Sequence, residues 1–170
     1  MRAAERERKI VTAPNHLRIG TFCEKYGGVF AAFMRGWNGA PDYYLFVPPG
    51  PEAEIAATWG GYGADEPGAV SDHDGFANTI ALCDSKTDHP AAKFCRGFKA
   101  YGLDDYHLAA RNEQRVIQIN CPEVFTKKAH WTSTQSSPYY AWFQGSDGNQ
   151  YVYYKDYEYL ARPVRRLIIQ

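Results

Sequence analysis

Asp74-Gly75-Phe76-Ala77-Asn78-Thr79-Ile80-Ala81-Leu82-Cys83 is followed, after five residues, by His89-Pro90-Ala91-Ala92-Lys93-Phe94-Cys95. Phe76, Thr79, Ile80 and Cys83 recur at helical spacing, which predicts a helix with those residues facing the core. Asp74 stands where an N-cap carboxylate would accept an orphan backbone N–H. Ala91, Phe94, Cys95 and Phe98 repeat the spacing in a second helix. Pro90 suits its first position and Gly102 its stop. A third, shorter helix is predicted over about 110–119, with Val116 and Ile117 inward.

On either side of these helices the period falls to two. Upstream, Val29 to Arg35 and Asp42 to Val47 read as strands. Between them Gly36-Trp37-Asn38-Gly39-Ala40 carries the Asn-Gly turn signal of a hairpin. Pro48-Pro49-Gly50-Pro51 ends the second strand, because proline has no N–H for the ladder. Trp59-Gly60-Gly61-Tyr62-Gly63 reads as a loop of close backbone approach. Downstream, His130 to Thr134, Tyr140 to Gln144, Asn149 to Lys155 and Leu160 to Ile169 read as strands. Ser146-Asp147-Gly148-Asn149 turns the middle pair into a hairpin, and Pro163 places the last strand at an edge or a bulge. Strands, then helices, then strands predict an α+β fold.

The remaining organisation is simple. Residues 1–17 form a mixed-charge arm containing Arg2, Glu5, Arg6, Glu7, Arg8 and Lys9, read either as a frayed terminus or as an anchor on a neighbouring subunit. Residues 18–170 read as one domain, a length that needs no disulfide or metal to support a core. Nineteen basic residues balance nineteen acidic ones, so no global field attracts a phosphate backbone and nucleic acid is not an expected partner. No apolar run approaches membrane-spanning length. Met1 to Lys9 lacks an apolar signal region, so synthesis in a cytoplasm is expected, with Cys23, Cys83, Cys95 and Cys121 reduced.

Candidate chemistry is sparse. Cys83, His89, Cys95 and upstream His73 could in principle gather round a metal, but both cysteines sit on apolar helix faces and read as core. Asp72 and Asp74 precede Gly75 without the rest of a calcium loop. Asp104, Asp105 and His107 with serines 133, 136 and 137 lack a nucleophile elbow, and the aspartates read as turn formers. Glu113 and Glu123 are the loose carboxylate candidates for glycan hydrolysis, with Glu113 on a helix face expected to be solvated. Gly60-Gly61-Tyr62-Gly63 has no phosphate-loop lysine.

Aromatic residues make up 15% of the chain, and thirteen of them are tyrosines. Tyr139, Tyr140, Trp142, Phe143, Tyr151, Tyr153, Tyr154, Tyr157 and Tyr159 crowd into the last strands. Alternation puts Tyr151 and Tyr153 on one strand face and Val152 and Tyr154 on the other, with one set expected inward. Tyr139, Tyr140, Tyr151, Tyr153, Tyr154 and Tyr157 are the candidate binding residues, since exposed tyrosines give rigid contact area at low entropic cost. The competing reading is ordinary sheet packing.

Several of these stretches resemble, in order, a family found in phage virion proteins and bacterial surface proteins. Ser71-Asp72-His73-Asp74-Gly75-Phe76-Ala77-Asn78-Thr79 resembles its opening, and His89-Pro90-Ala91-Ala92 its helix start. Gly102-Leu103-Asp104-Asp105-Tyr106-His107-Leu108-Ala109-Ala110 and Arg111-Asn112-Glu113 resemble its central motif. His130-Trp131-Thr132-Ser133-Thr134, Ala141-Trp142-Phe143-Gln144, Asp147-Gly148-Asn149-Gln150 and Arg162-Pro163-Val164-Arg165-Arg166 resemble its closing motifs. The chain is thus similar, over about 70–168, to the C-terminal domain of the Legionella collagen-like protein. His107, Ala109 and Gln114 depart from the pattern.

The resemblance implies a C-type-lectin-like fold and a non-enzymatic virion protein of a tailed phage, with no cofactor. The implied role is attachment to a host-surface glycan or protein. The implied companions are other virion proteins and further copies of the chain. Decoration of capsid or tail, with the tyrosines between subunits, and a virion-associated glycan hydrolase are the alternatives. Trp131, Trp142, Arg162 and Arg165 are expected in the rigid base, with guanidinium stacked on aromatic. The segments 135–140 and 151–159 are expected on the presented surface.

Overall fold

The computed structural model describes residues 17–169. Apart from Leu17, the arm expected over 1–17 lies outside the described residues. Among the described residues the architecture is α+β, with three α-helices and two five-stranded sheets.

The upstream hairpin forms as its turn chemistry predicts. Strands β2 (Gly28–Met34) and β3 (Tyr43–Val47) pair antiparallel, and Asn38 and Gly39 both take left-handed backbone between them. The short strand β1 (Phe22–Cys23) adds to β2. Val29, Ala31, Leu45 and Val47 are buried together with Ile117, Cys121, Val124 and Phe125, so helix α3 (Arg111–Asn120) and the turn after it close this sheet.

Asp74 caps helix α1 (Gly75–Asp84) as expected, its carboxylate accepting the Ala77 N–H at 2.9 Å. The inward face matches the prediction at Thr79 and differs elsewhere. Gly75, Asn78, Thr79 and Leu82 are buried, while Phe76, Ile80 and Cys83 are only partly so. Polar residues win this face because each is satisfied there. Asn78 Nδ2 donates to Ser71 O and Ser133 Oγ, and Thr79 Oγ1 accepts from Leu108 N. Helix α2 (Pro90–Gly97) begins at Pro90 but stops at Gly97. Gly102 instead serves a tight turn in which Ala100 and Leu103 exchange backbone hydrogen bonds.

The predicted strand 160–169 is two strands in different sheets. Strand β9 (Glu158–Ala161) lies beside β4 (Ile55–Thr58), while β10 (Pro163–Ile168) lies between β3 and β5 (Tyr106–Leu108). Pro163 is therefore not on an edge strand. It is the first residue of an interior one, a position that tolerates a missing N–H. The sheet orders are β1-β2-β3-β10-β5 and β4-β9-β6-β7-β8, with β6 (His130–Gln135), β7 (Tyr140–Gln144) and β8 (Gln150–Tyr154). Only β6 and β9 run parallel among these pairs. Trp59, Leu82, Ala91, Ala92, Cys95, Leu108, Trp131 and Ala161 form the second core, where α1 and α2 meet the second sheet.

Lys155 is fully buried just after β8. Its ammonium donates to Ala64 O at 2.8 Å and Gln135 Oε1 at 2.7 Å and sits 4.7 Å from the Trp59 ring centroid. Burial pulls its pKa down to about 8, against the attraction of Glu66 and Asp65. The unfolded chain thus binds more protons than the folded one above that value, so stability rises with pH. We expect Lys155 to contribute a gain of about 1.5 kcal/mol between about pH 8 and 9.5. Urea midpoints across this window should rise in the parent and flatten in Lys155→Met; parallel profiles would refute the assignment.

Candidate binding surface

The hairpin β7–β8 forms one edge of the second sheet, with β8 outermost. Its turn is built by Asp147, which accepts the Asn149 N–H at 3.1 Å and the Tyr151 hydroxyl at 2.6 Å. Those hydrogen bonds, the tyrosine's foremost, hold the Asp147 carboxyl below its ordinary value. The register sets Tyr140 opposite Tyr154, Trp142 opposite Val152 and Phe143 opposite Tyr151.

The candidate tyrosines divide between the two faces of this hairpin. Tyr140 and Tyr154 lie with ring centroids 4.8 Å apart, and Tyr62 joins them, 5.2 Å from Tyr139 and 6.1 Å from Tyr154. Further along the same face the Arg111 guanidinium lies 3.5 Å over the Trp142 ring and donates to Gln150 Oε1. On the opposite face a graded aromatic stack runs outward from the core. Buried Trp131 meets Tyr159 at 4.9 Å, Tyr159 meets Tyr157 at 5.0 Å, and Tyr157 meets Tyr153 at 4.9 Å. Phe143 packs on Tyr159 at 4.5 Å and on Tyr151 at 5.7 Å.

One set of β8 side chains was expected inward, yet Tyr151, Val152, Tyr153 and Tyr154 are all exposed. The reason is position. On a rim strand each ring packs on its aromatic neighbours with its polar tip at the surface, so neither face needs a covering layer. Tyr139 and Tyr157 are exposed as well, and Tyr140 is half-buried.

Tyr62 escaped the sequence reading because it lies far upstream. The Gly60-Gly61-Tyr62-Gly63 loop delivers it: Gly60 N–H donates to Lys155 O and Gly63 N–H to Pro138 O, both at 3.0 Å. Gly60, Gly61 and Gly63 all take left-handed backbone, the only local signal of the loop's path.

The surface is uncharged at neutral pH among the tyrosines whose pKa moves. Tyr140 is raised by its hydrogen bond with Tyr154, Tyr151 by its hydrogen bond with Asp147, and Tyr159 by burial. Its chemistry is contact: flat apolar faces rimmed by hydroxyls that donate and accept.

The other sequence candidates are taken up elsewhere. Glu113, expected on a solvated face, is fully buried with Tyr43, His107 and the Ala110 N–H, whereas Glu123 is exposed. Asp105 grips Arg165 rather than simply shaping a turn, and Ser133 Oγ accepts from Asn78. His89 is enclosed, its ring nitrogens facing Trp59 O and Glu66 Oε1. Burial raises the thiols of Cys83 and Cys95. Asp72 faces Arg111, and Asp74 faces Arg166. Among the described residues, no three His, Cys, Asp or Glu side chains gather closely enough to hold a metal ion. No described helix is long and apolar enough to cross a membrane.

Trp131 is buried as expected, but Arg162 and Arg165 bind carboxylates rather than rings. Guanidinium groups lie instead over aromatic rings at Arg111 on Trp142 and at Arg166 and, more distantly, Arg96 on Phe76. No protein-family model and no curated protein matches this chain.

Proposed function

We propose that this chain is a structural and adhesion component of a bacteriophage virion, tail-associated, that holds a host-surface glycan or protein on its tyrosine surface. The observation that carries the reading is the exposure of Tyr139, Tyr151, Tyr153 and Tyr154 on or beside the β7–β8 hairpin, joined by Tyr62 from the glycine loop and Tyr157 from the turn after β8, over a core containing Trp131 and Trp59. Rigid aromatic contact area over a packed base is the physical requirement of a binding module. The ordered motif resemblance from Ser71 to Arg166 supports a C-type-lectin-like form of the α+β fold and a virion setting. Weak single-copy binding would be multiplied by many copies on a particle. The arm over residues 1–17 would tie the chain to other virion proteins.

A direct test coats beads with the protein and measures their retention on bacterial envelopes and purified surface polysaccharides. Tyr153→Ser/Tyr157→Ser and Tyr62→Ser/Tyr154→Ser each address one face. Loss of a hot-spot tyrosine costs about 2 kcal/mol or more, so one variant should lose roughly thirtyfold in affinity with its unfolding midpoint kept. Retention of neither parent nor variant on any envelope, or equal retention of all three, would reject adhesion through these residues.

The alternative is a decoration protein with this surface covered by a second copy. It is favoured by the outermost place of β8, whose free ladder groups could pair with another strand. Hydrogen exchange separates the two: β8 amides protected in a concentration-dependent way mark a subunit contact, and fast exchange at all concentrations marks a free adhesive edge.

A further inference from the structure

A cleft of about 330 Å³ shares no lining residue with the tyrosine surface. It lies between the loop after β2, the segment leading into α1 and the end of β10. Arg35, Trp37, Asn38, His73, Asp74 and Arg166 supply its polar and aromatic wall.

Trp37 is the feature that needs explaining. It is 58% exposed, yet its indole is held flat against the His73 ring, with centroids 4.1 Å apart and planes 14° apart. His73 is itself fixed by the Asn112 amide at 3.2 Å. The loop is pinned too: Gly36 N–H donates to Asp42 Oδ1 at 2.7 Å, Ala40 N–H to Trp37 O, and Ile169 N–H to Asp42 O. An exposed indole immobilised before any partner arrives is a preorganised platform with little entropy left to lose on binding.

The groups around it are charged and only partly used. Arg166 spends Nη1 on Asp74 Oδ1 at 3.0 Å and lies over the Phe76 ring. Its remaining N–H groups have no acceptor among the described residues. Asp74 Oδ1 also takes the Ala77 N–H, leaving Oδ2 without a partner among the described residues. Arg35 forms no ion pair among the described residues. With Arg166 and Asp74 offsetting one another, the wall carries one cation in excess.

We propose that this cleft binds a saccharide bearing a carboxylate, a uronic-acid unit. The C–H face of the sugar ring would lie on the Trp37 indole. Arg35 and the free donors of Arg166 would take the carboxylate, and Asp74 Oδ2 and Asn38 the hydroxyls. The volume stands at the small end of ligand cavities, which suits one or two sugar units. The proposal goes beyond the adhesive reading and does not rest on it, since either site could bind alone.

The probe is trigalacturonate, followed through the indole N–H signals of isotope-labelled full-length protein, with affinities from calorimetry. The Trp37 signal is assigned by its loss in Trp37→Ala. Trigalacturonate is expected to move that signal saturably at millimolar concentration. Its methyl ester, which loses the charge and gains a methyl group at each carboxyl, should bind roughly tenfold to hundredfold more weakly, and Arg35→Gln should lose a similar factor. Trp37→Ala should abolish saturable binding, and Trp37→Phe should retain part of it. Equal shifts with acetate or inorganic phosphate would reduce the cleft to an anion site and overturn the proposal. So would equal binding of the methyl ester, or saturable binding surviving in Trp37→Ala, or no shift at all. None of these outcomes touches the envelope-retention test, so the two readings fail separately.

Discussion

Arg162→Leu is expected to lower the free energy of unfolding by about 3–5 kcal/mol, the cost of breaking a buried ion pair from one side. Arg162 sits at the break between β9 and β10, where the chain leaves one sheet for the other. Its guanidinium donates to Pro48 O at 2.6 Å, to Gly50 O at 3.1 Å and to Glu54 Oε2 at 3.1 Å. Glu54 Oε2 also faces His130 Nε2 at 2.6 Å, and Oε1 accepts the Thr126 hydroxyl. Arg162 thus ties the exit of β3 and the entry of β4 to the β9–β10 junction, and Glu54 extends the tie to β6. Leucine leaves two carbonyls and part of a buried carboxylate unpaired. Urea denaturation measures the loss, and a value below about 1 kcal/mol would show that the network is not structural.

The same network has an acid signature. Burial opposes the charged form of Glu54, but the His130 hydrogen bond and charge, the Thr126 hydroxyl and Arg162 outweigh it and hold the carboxyl at about 2. A carboxyl lowered on folding contributes stability that is fully present above its unfolded value, near 4.3, and lost as pH falls toward 2. We expect up to about 3 kcal/mol to disappear across that window in the parent and not in Glu54→Gln.

The second large effect is expected at Glu113. Glu113→Ala should cost about 3–5 kcal/mol, because three groups lose their acceptor in a dry site. Those groups are the Tyr43 hydroxyl at 2.7 Å, the Ala110 N–H at 2.8 Å and the His107 Nε2 at 3.4 Å. His107 Nδ1 already has no partner among the described residues, so this imidazole would lose its only anchor there. Glu113→Gln keeps an acceptor oxygen for Tyr43 or Ala110 and should cost less. Burial raises the Glu113 carboxyl, but His107 and the hydrogen bonds outweigh it and leave it lowered. Its contribution is therefore present at neutral pH and fades on acidification. Thermal unfolding of the two variants tests the ranking; a Glu113→Ala protein as stable as the parent would sink it. Tyr43 also lines the Trp37 cleft, so the alanine variant should disturb that wall as well.

The tyrosine surface was half legible. Tyr139, Tyr140, Tyr151, Tyr153, Tyr154 and Tyr157 are close in sequence, and a two-residue period on a hairpin brings them together without long-range information. Their division between two faces, with both faces exposed, follows from the outermost place of β8, which no local pattern states. Tyr62 and the Trp37–His73 stack were invisible for the same reason: each joins segments whose neighbourhood is set by sheet order.

Helix α1 gives the clearest lesson. Its existence and its cap were readable, because Asp74 and the Ala77 amide lie within one turn. Its orientation was only partly readable: Thr79 faces inward as its spacing predicts, but Phe76, Ile80 and Cys83 are only partly buried, while Asn78 is buried with a hydrogen-bond partner on a distant strand. Glu113 follows the same logic: helical spacing read it as solvated, and Tyr43, far upstream, made it a satisfied core acid.

The amino-acid order alone established the three helices and their starts, both hairpins and the longer strands, but not β1, β4, β5 or the break between β9 and β10. The features it established depend on turn backbone, capping and side-chain period, which act over a few residues. Folding in three dimensions settled which strands became neighbours, which helix face turned inward and which charges entered the core. Those outcomes rest on hydrogen bonds between distant residues, such as Arg162 with Pro48, and a local pattern carries no information about a partner it does not contain.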